Sequence, residues 1–169
     1  MIGLPATGKT TRARELEAEM QALRLTPDEW MIPLFAHPDP DGKRWVLEGR
    51  LVWLAIRALR LGVSVIMDFG LWARDERSAL RFLAAQAGAD CELVYLQVSE
   101  KEQQRRLEAR FATDPGSNYE LRHFDLEEFR GIFQVPGEDE LGTGQVGEPP
   151  GGCATWGSWI AEHWPSSCP

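Results

Sequence analysis

The octapeptide Gly3-Leu4-Pro5-Ala6-Thr7-Gly8-Lys9-Thr10 constrains this chain more than any other feature. It fits the pattern GxxxxGK(S/T), a phosphate-binding loop that leaves a buried strand and enters a helix. The glycines let the backbone curl so that successive N–H groups point inward at a polyphosphate. The helix that follows adds the positive end of its dipole to the same anion. Lys9 is placed to reach the β and γ phosphates, and the Thr10 hydroxyl to ligate Mg²⁺. The expected ATP contacts are therefore Gly3, Leu4, Pro5, Ala6, Thr7, Gly8, Lys9, Thr10 and Thr11, with ATP and Mg²⁺ as the expected cofactors.

Hydrophobic periodicity supplies the frame around the loop. Thr10–Met20 reads as a helix with Ala13, Leu16 and Met20 on one face. Ala22–Leu25 reads as a short strand ending in the turn Thr26-Pro27-Asp28. Trp45–Leu61 is an amphipathic helix stopped by Gly62, and Arg74–Ala87 another, ended by Gly88. Val63–Met67 and Cys91–Val98 read as strands, the first apolar enough to be covered on both faces. Glu100–Phe111 and Phe124–Phe133 complete the helices, with Asp125 favouring the N-terminus of the second. Strands separated by helices predict an α/β fold with a mostly parallel sheet. Trp45 and Trp53 are expected to pack between helix and sheet, and Trp30 to border a substrate pocket.

Composition limits the partners. Eighteen basic against 26 acidic side chains leave a net charge of −8, which repels nucleic-acid phosphates over most of the surface. No apolar stretch approaches a membrane span of about 20 residues, and no secretory leader precedes the loop. A cytoplasmic location follows as an expectation, with no membrane or nucleic-acid partner. Cys91, Cys153 and Cys168 show no metal-ligand spacing and read as free thiols. His37, His123 and His163 are scattered and receive no role. Residues 142–169 hold ten Gly and Pro among 28 positions and, like everything after Arg130, no Lys or Arg. That composition predicts an irregular tail beyond a domain of residues 1–141, with a tryptophan or two docked. Asp68-Phe69-Gly70 matches a protein-kinase tripeptide, but the catalytic loop and lysine strand of that fold are absent.

The loop, the Thr26-Pro27-Asp28-Glu29-Trp30 segment, the strand ending in Asp68 and the arginine-bearing helix occur in an order that resembles the P-loop kinases. The group is that of polynucleotide kinase, chloramphenicol phosphotransferase and zeta toxin, called AAA-domain ATP-binding proteins, and the resemblance spans about residues 1–141. It implies a three-layer α/β P-loop fold and ATP-dependent phosphoryl transfer. It also implies that Asp28 accepts the proton of an acceptor hydroxyl, and that Arg106 and Arg110 form a lid over the triphosphate. The residues leave other roles open: Asp28 as a helix cap, Glu29 as the base, the arginines paired with Glu102 and Glu108 on a solvated face. Arg105 reads as a surface charge. Asp68 is expected either to orient Mg²⁺ or hold substrate, or to hydrogen-bond the Thr10 region.

Three features depart from that group. A strand of about five or six residues is usual, yet only Met1 and Ile2 precede Gly3. The first strand is therefore expected to be truncated, with coding sequence upstream of Met1. The composition breaks at Gly142, as a frameshifted, divergent or lineage-specific end would make it. Met31 stands where polynucleotide kinases carry a phosphate-holding arginine three residues after the base. These readings favour a kinase acting on the hydroxyl of a small molecule, with Lys9, Asp28, Arg106 and Arg110 catalytic and Thr10 and Asp68 on the metal. A nucleotide-binding protein without catalysis, and a toxin-like or polynucleotide 5′-hydroxyl kinase, are the alternatives.

Overall fold

The protein is described by a computed structural model covering residues 1–37, 39–113, 123–142 and 146–167. Eight α-helices and two strands occur among the described residues: α1 (Lys9–Met20), β1 (Leu23–Leu25), α2 (Asp28–Phe35), α3 (Arg44–Arg60), β2 (Val65–Met67), α4 (Arg74–Gln86), α5 (Glu100–Thr113), α6 (His123–Ile132), α7 (Glu138–Leu141) and α8 (Trp156–His163). The fold is α/β with a small parallel sheet. β1 pairs with β2, Leu23 opposite Val65 and Leu25 opposite Met67. Ile2 forms parallel bridges to Gly70 on one side and Tyr95 on the other. The spatial order across the sheet is thus β1, β2, Ile2, Tyr95, with the start of the P-loop inside the sheet and not at its edge.

Side-chain alternation along β2 divides the core. Ile66 packs with Met1, Ala13 and Ala22, against α1. Val65 and Met67 pack with Leu25, Leu51 and Ala55, against α3. One residue of slip would exchange the two sets.

Two expected strands are shorter than their apolar runs. Val63 is 41% exposed, because the ladder with β1 begins only at Val65. The run Cys91–Val98 forms no strand; Tyr95 makes a single bridge, with Ile2 N–H donating to the Val94 carbonyl and Leu96 N–H to that of Ile2. A ladder extends only as far as its neighbour, and here the neighbour turns into the loop at Gly3. Trp45 also differs from expectation, being 47% exposed. Trp53 is half-buried, its ring covered by the Arg50 and Arg57 guanidinium groups at 4.3 and 4.8 Å. Met20 is exposed, while Ala13 on the same helix is buried.

Where the composition predicts irregular chain, Trp156–His163 is a helix. Thr155 caps it, its hydroxyl accepting from Ser158 N–H at 3.1 Å, a cap of the kind that stabilises a helix by about 1 kcal/mol. Trp156, Ile160 and Trp164 are buried with Val52 of α3 and Ala79 of α4. Burial of a large apolar side chain is worth roughly 1.5–3 kcal/mol, enough to hold the segment down. Its close approach depends on Gly49 in α3, since a Cβ there would lie 2.2 Å from the Ser166 hydroxyl and 3.2 Å from Ser167 N. Cys91 and Cys153 are free thiols; Cys168 lies outside the described residues.

One buried ion pair closes the sheet's far side. Arg77 in α4 is fully buried and makes paired bonds to Glu140 of α7, 2.7 and 2.9 Å long. Its remaining nitrogen donates to the Leu71 and Trp72 carbonyls, both at 3.1 Å. Burial raises the Glu140 carboxyl, but Arg77 and the Gly137 N–H outweigh it and leave the group below the usual carboxylate range. Removing one partner strands a buried charge, which costs about 3–5 kcal/mol. Glu140→Ala is expected to lower the unfolding free energy by that amount in a urea titration, whereas Glu138→Ala on the exposed surface changes it by less than about 0.5 kcal/mol.

Candidate nucleotide site

The loop is held in its curl by contacts that depend on residue size. Gly3 has φ +143°, and a Cβ on it would lie 2.4 Å from the Leu96 carbonyl oxygen and 2.8 Å from the Thr7 hydroxyl. Only glycine fits there. Beyond it, the Thr7 hydroxyl donates to the Leu4 carbonyl at 2.9 Å and Lys9 Nζ to the same oxygen at 2.8 Å. Gly8 caps α1 in the left-handed conformation, and its carbonyl accepts the Arg12 N–H at 3.0 Å. Thr10 and Thr11 are exposed in the first turn, where the N–H groups of a helix lack intrahelical partners and attract anions.

Lys9 and Asp68 face each other electrostatically below this loop. Burial lowers the Lys9 ammonium to about 8, with Arg110 adding to the fall and Asp68 and Asp28 opposing it. The Asp68 side chain, 2% exposed, is within 3.4 Å of Arg24 Nη1, so its partner is Arg24 and not the Thr10 region. Arg24 also binds Glu17 at 3.0 Å and, closely, Glu29. The Arg24 guanidinium holds the Glu29 carboxyl below its usual range, with help from Arg14.

Asp28 opens α2 instead of ending a turn. One reading of the sequence has Asp28 cap this helix, but its N-cap is Pro27 and no side chain caps it. The Asp28 carboxylate is 66% exposed and accepts from Arg44 Nη1 at 2.7 Å. Arg44 reaches on to Glu48 at 3.0 Å. Burial pushes the Glu48 carboxyl up to about 7, against the pull of Arg44 and His163 and with Glu76 adding to the rise.

α5 covers the loop from the other side. Arg106 Nη1 lies 3.5 Å from the Ala6 carbonyl while Nε donates to Glu102 at 2.7 Å. Arg105 grips the same carboxylate through two nitrogens, and Arg105 with Arg106 holds Glu102 at about 2. Arg110 is exposed on the last turn, near enough to depress Lys9. Gln103, absent from the residues singled out by sequence, is 2% exposed and donates to the Pro5 carbonyl at 2.7 Å. Arg130 of α6 donates to its other side at 2.8 Å. No motif signals Gln103; it matters because α5 crosses the loop. A cleft of about 270 Å³ opens beside Leu4 and Thr7, bounded by Gln103, Arg130 and the Tyr95–Phe133 ring pair. The side chains of His123 and Asp125 lie outside the described residues.

A glycine-cornered loop between the parallel bridges of Ile2 and a helix N-terminus, closed by a half-buried lysine, defines a P-loop nucleotide-binding site. The family model described as AAA domain (AAA_33, P-loop kinase-like) matches residues 1–136, and the chain belongs to that family. No curated protein matches it. Among the described residues no helix is long and apolar enough to cross a membrane.

Two titrations follow. Lys9 loses its proton as pH rises through about 8, so Mg-ATP affinity, followed by calorimetry, is expected to weaken on the order of tenfold between neutral pH and well above that value. Lys9→Ala should bind about 10–100-fold more weakly without that pH dependence. The Glu48 carboxyl is raised by folding, so its contribution to stability is complete below the unfolded value of 4.5 and lost as pH rises through about 7. The melting temperature should fall across that window in the parent and less so in Glu48→Gln.

Proposed function

We propose that this protein is an ATP-dependent phosphotransferase acting on the hydroxyl of a small molecule. The observation that carries the reading is the gathering of Lys9, Asp68, Arg106 and Asp28 around one loop at one end of a parallel sheet, where α/β sites lie. In this reading the core clusters on the two faces of β2 are the outer contacts of a three-layer sandwich. Residues Gly3–Thr11 hold the phosphates, and Arg106 and Arg110 turn from Glu102 and solvent toward them. Thr10 and Asp68 offer the hard oxygen donors that Mg²⁺ takes. Mg²⁺ held there would supply charge neutralisation to the phosphates.

The transfer balances within the site. The acceptor oxygen bonds the γ phosphorus, the bond from that phosphorus to the β–γ bridging oxygen breaks, and ADP leaves with the electron pair. Asp28 takes the acceptor's proton, its carboxylate oriented by Arg44. Glu29 is the weaker candidate because Arg24 holds it below the usual range. Fixed cations facing the developing charge act mainly on the transition state.

A polynucleotide acceptor is disfavoured by Met31, fully buried at the position in question, and by the net charge of −8. Binding without catalysis is the remaining alternative; Arg106 rests on Glu102 and Lys9 on Leu4, and both must be released before they can serve phosphate. The deciding experiment screens hydroxyl acceptors for ADP formation beside Asp28→Asn. Loss of about 10²–10⁴-fold in kcat is expected for removal of a general base, with the Mg-ATP melting shift retained. Parent-like turnover in Asp28→Asn would end the base assignment. No acceptor-dependent ADP with a normal nucleotide shift would leave a binding protein.

A further inference from the structure

A second cleft, of about 490 Å³, has no P-loop residue in its lining. Its walls are Trp45 at the start of α3, the 150–153 turn, and Trp159, Glu162 and His163 of α8. It lies toward the rim that carries Asp28. Trp45 follows Arg44, whose guanidinium holds Asp28 at 2.7 Å and Glu48 at 3.0 Å. On the other flank His163 Nε2 lies 3.5 Å from Glu76 in the first turn of α4. β1 runs into α2, whose first residue Asp28 pairs with Arg44 at the start of α3, and β2 is followed by α4, so these groups gather beyond the ends of the two strands.

The lining has a definite chemistry. Two indole rings contribute, Trp45 half-exposed and Trp159 stacked on His163 at 4.3 Å. Glu162 also lines the cleft, with Cys153 Sγ 3.9 Å away. The ionisable groups of the lining are Glu162 and His163, His163 faces Glu76, Arg44 beside Trp45 is paired with Asp28 and Glu48, and the tail brings no Lys or Arg. Aromatic faces beside carboxylates attract organic cations and repel phosphates and carboxylic acids. A volume of this size suits a small organic ligand. Every lining residue except Trp45 lies beyond residue 136, where the family match ends.

We propose that this cleft binds the acceptor and that the acceptor is a hydroxyl-bearing organic cation, an amino or quaternary-ammonium alcohol. The inference rests on the phosphotransfer reading above for the role of its ligand, but the binding itself does not need turnover. The nucleotide loop comes from the family's part of the chain, and the selecting walls come from the segment that follows it.

The test uses the full chain, choline as the cationic probe, and its neutral isostere in which carbon replaces nitrogen. Calorimetry is expected to give a dissociation constant for choline at least tenfold below that of the isostere and weakening with added salt. Glu162→Gln and Trp45→Ala, both at exposed positions, should each raise the choline constant about tenfold while the melting temperature and the Mg-ATP shift stay near those of the parent. Equal binding of the isostere, or choline binding unchanged in both variants, would overturn the inference. Choline binding without ADP formation from choline or any other alcohol would sink the phosphotransfer reading and keep the cleft. ADP formed with neutral alcohols but not with choline would keep the kinase and remove the cleft's role.

Discussion

Everything the loop does hangs on Ile2. It is fully buried, bridged to Gly70 and Tyr95, with its N–H on the Val94 carbonyl and its own carbonyl on Leu96 N–H. Met1 N adds a bond of 2.7 Å to the Met67 carbonyl. The energies are ordinary, about 1 kcal/mol net for each hydrogen bond and roughly 1.5–3 kcal/mol for the side chain. Their effect is positional. With Ile2 pinned on both sides, Gly3 must pass beneath the Leu96 carbonyl at a distance that excludes a Cβ. The loop then climbs into α1 in one direction only. A single residue thus sets where phosphate can sit relative to Asp68 at the end of the neighbouring strand.

The cations around the loop are held in reserve by weak internal partners. Lys9 donates to a loop carbonyl, Arg106 shares Glu102 with Arg105, and Arg110 faces water. A carbonyl is a poorer partner for a buried ammonium than a phosphate, which is why burial succeeds in lowering Lys9 toward neutrality. Entry of a polyphosphate would exchange these contacts for stronger ones and raise the Lys9 ammonium back toward its ordinary value. Gln103 and Arg130 differ: they tie α5 and α6 to the Pro5 carbonyl. They give the loop a fixed backing against which Lys9 and Arg106 can move.

How much of this could be read from the residues depends on how local each signal is. The P-loop and helices α1, α3, α4 and α5 were legible because spacing and stop residues lie within the segment itself; α3 and α4 end just before Gly62 and Gly88 as expected. The 91–98 run was not, because a strand exists only where a neighbour pairs with it, and Ile2 offers one residue. α8 was masked by averaging: the tail is rich in Gly and Pro, yet the window 156–163 has one Gly and places Trp156 and Ile160 four apart. Asp28 and Arg106 were singled out for chemistry from the residues alone, whereas their partners Arg44 and Glu102, which decide their geometry, were visible only in the folded chain. Gln103, Arg77 and Glu140 carry no motif; their importance comes from 63 or 98 positions of chain separation being closed by folding.

In the proposed reading, the two ends of the chain divide the work by different physics. Phosphate recognition needs backbone N–H groups, a helix dipole and a lysine, and these require a fixed geometry that the sheet supplies. Acceptor recognition needs shape and charge, which a segment strapped onto α3 can supply without altering the sheet. The strap is secured by Trp164 and by bonds at residues 46 and 50, where Ser166 donates to the Val46 carbonyl and Arg50 donates to that of Ser166. Because Gly49 lies between them, the tail can approach the helix backbone closely and still leave Trp45, one turn earlier, turned outward. The absence of a side chain at Gly49 and the exposure of Trp45 are thus two parts of one arrangement: the first lets the tail dock, and the second gives the docked tail an aromatic wall to face.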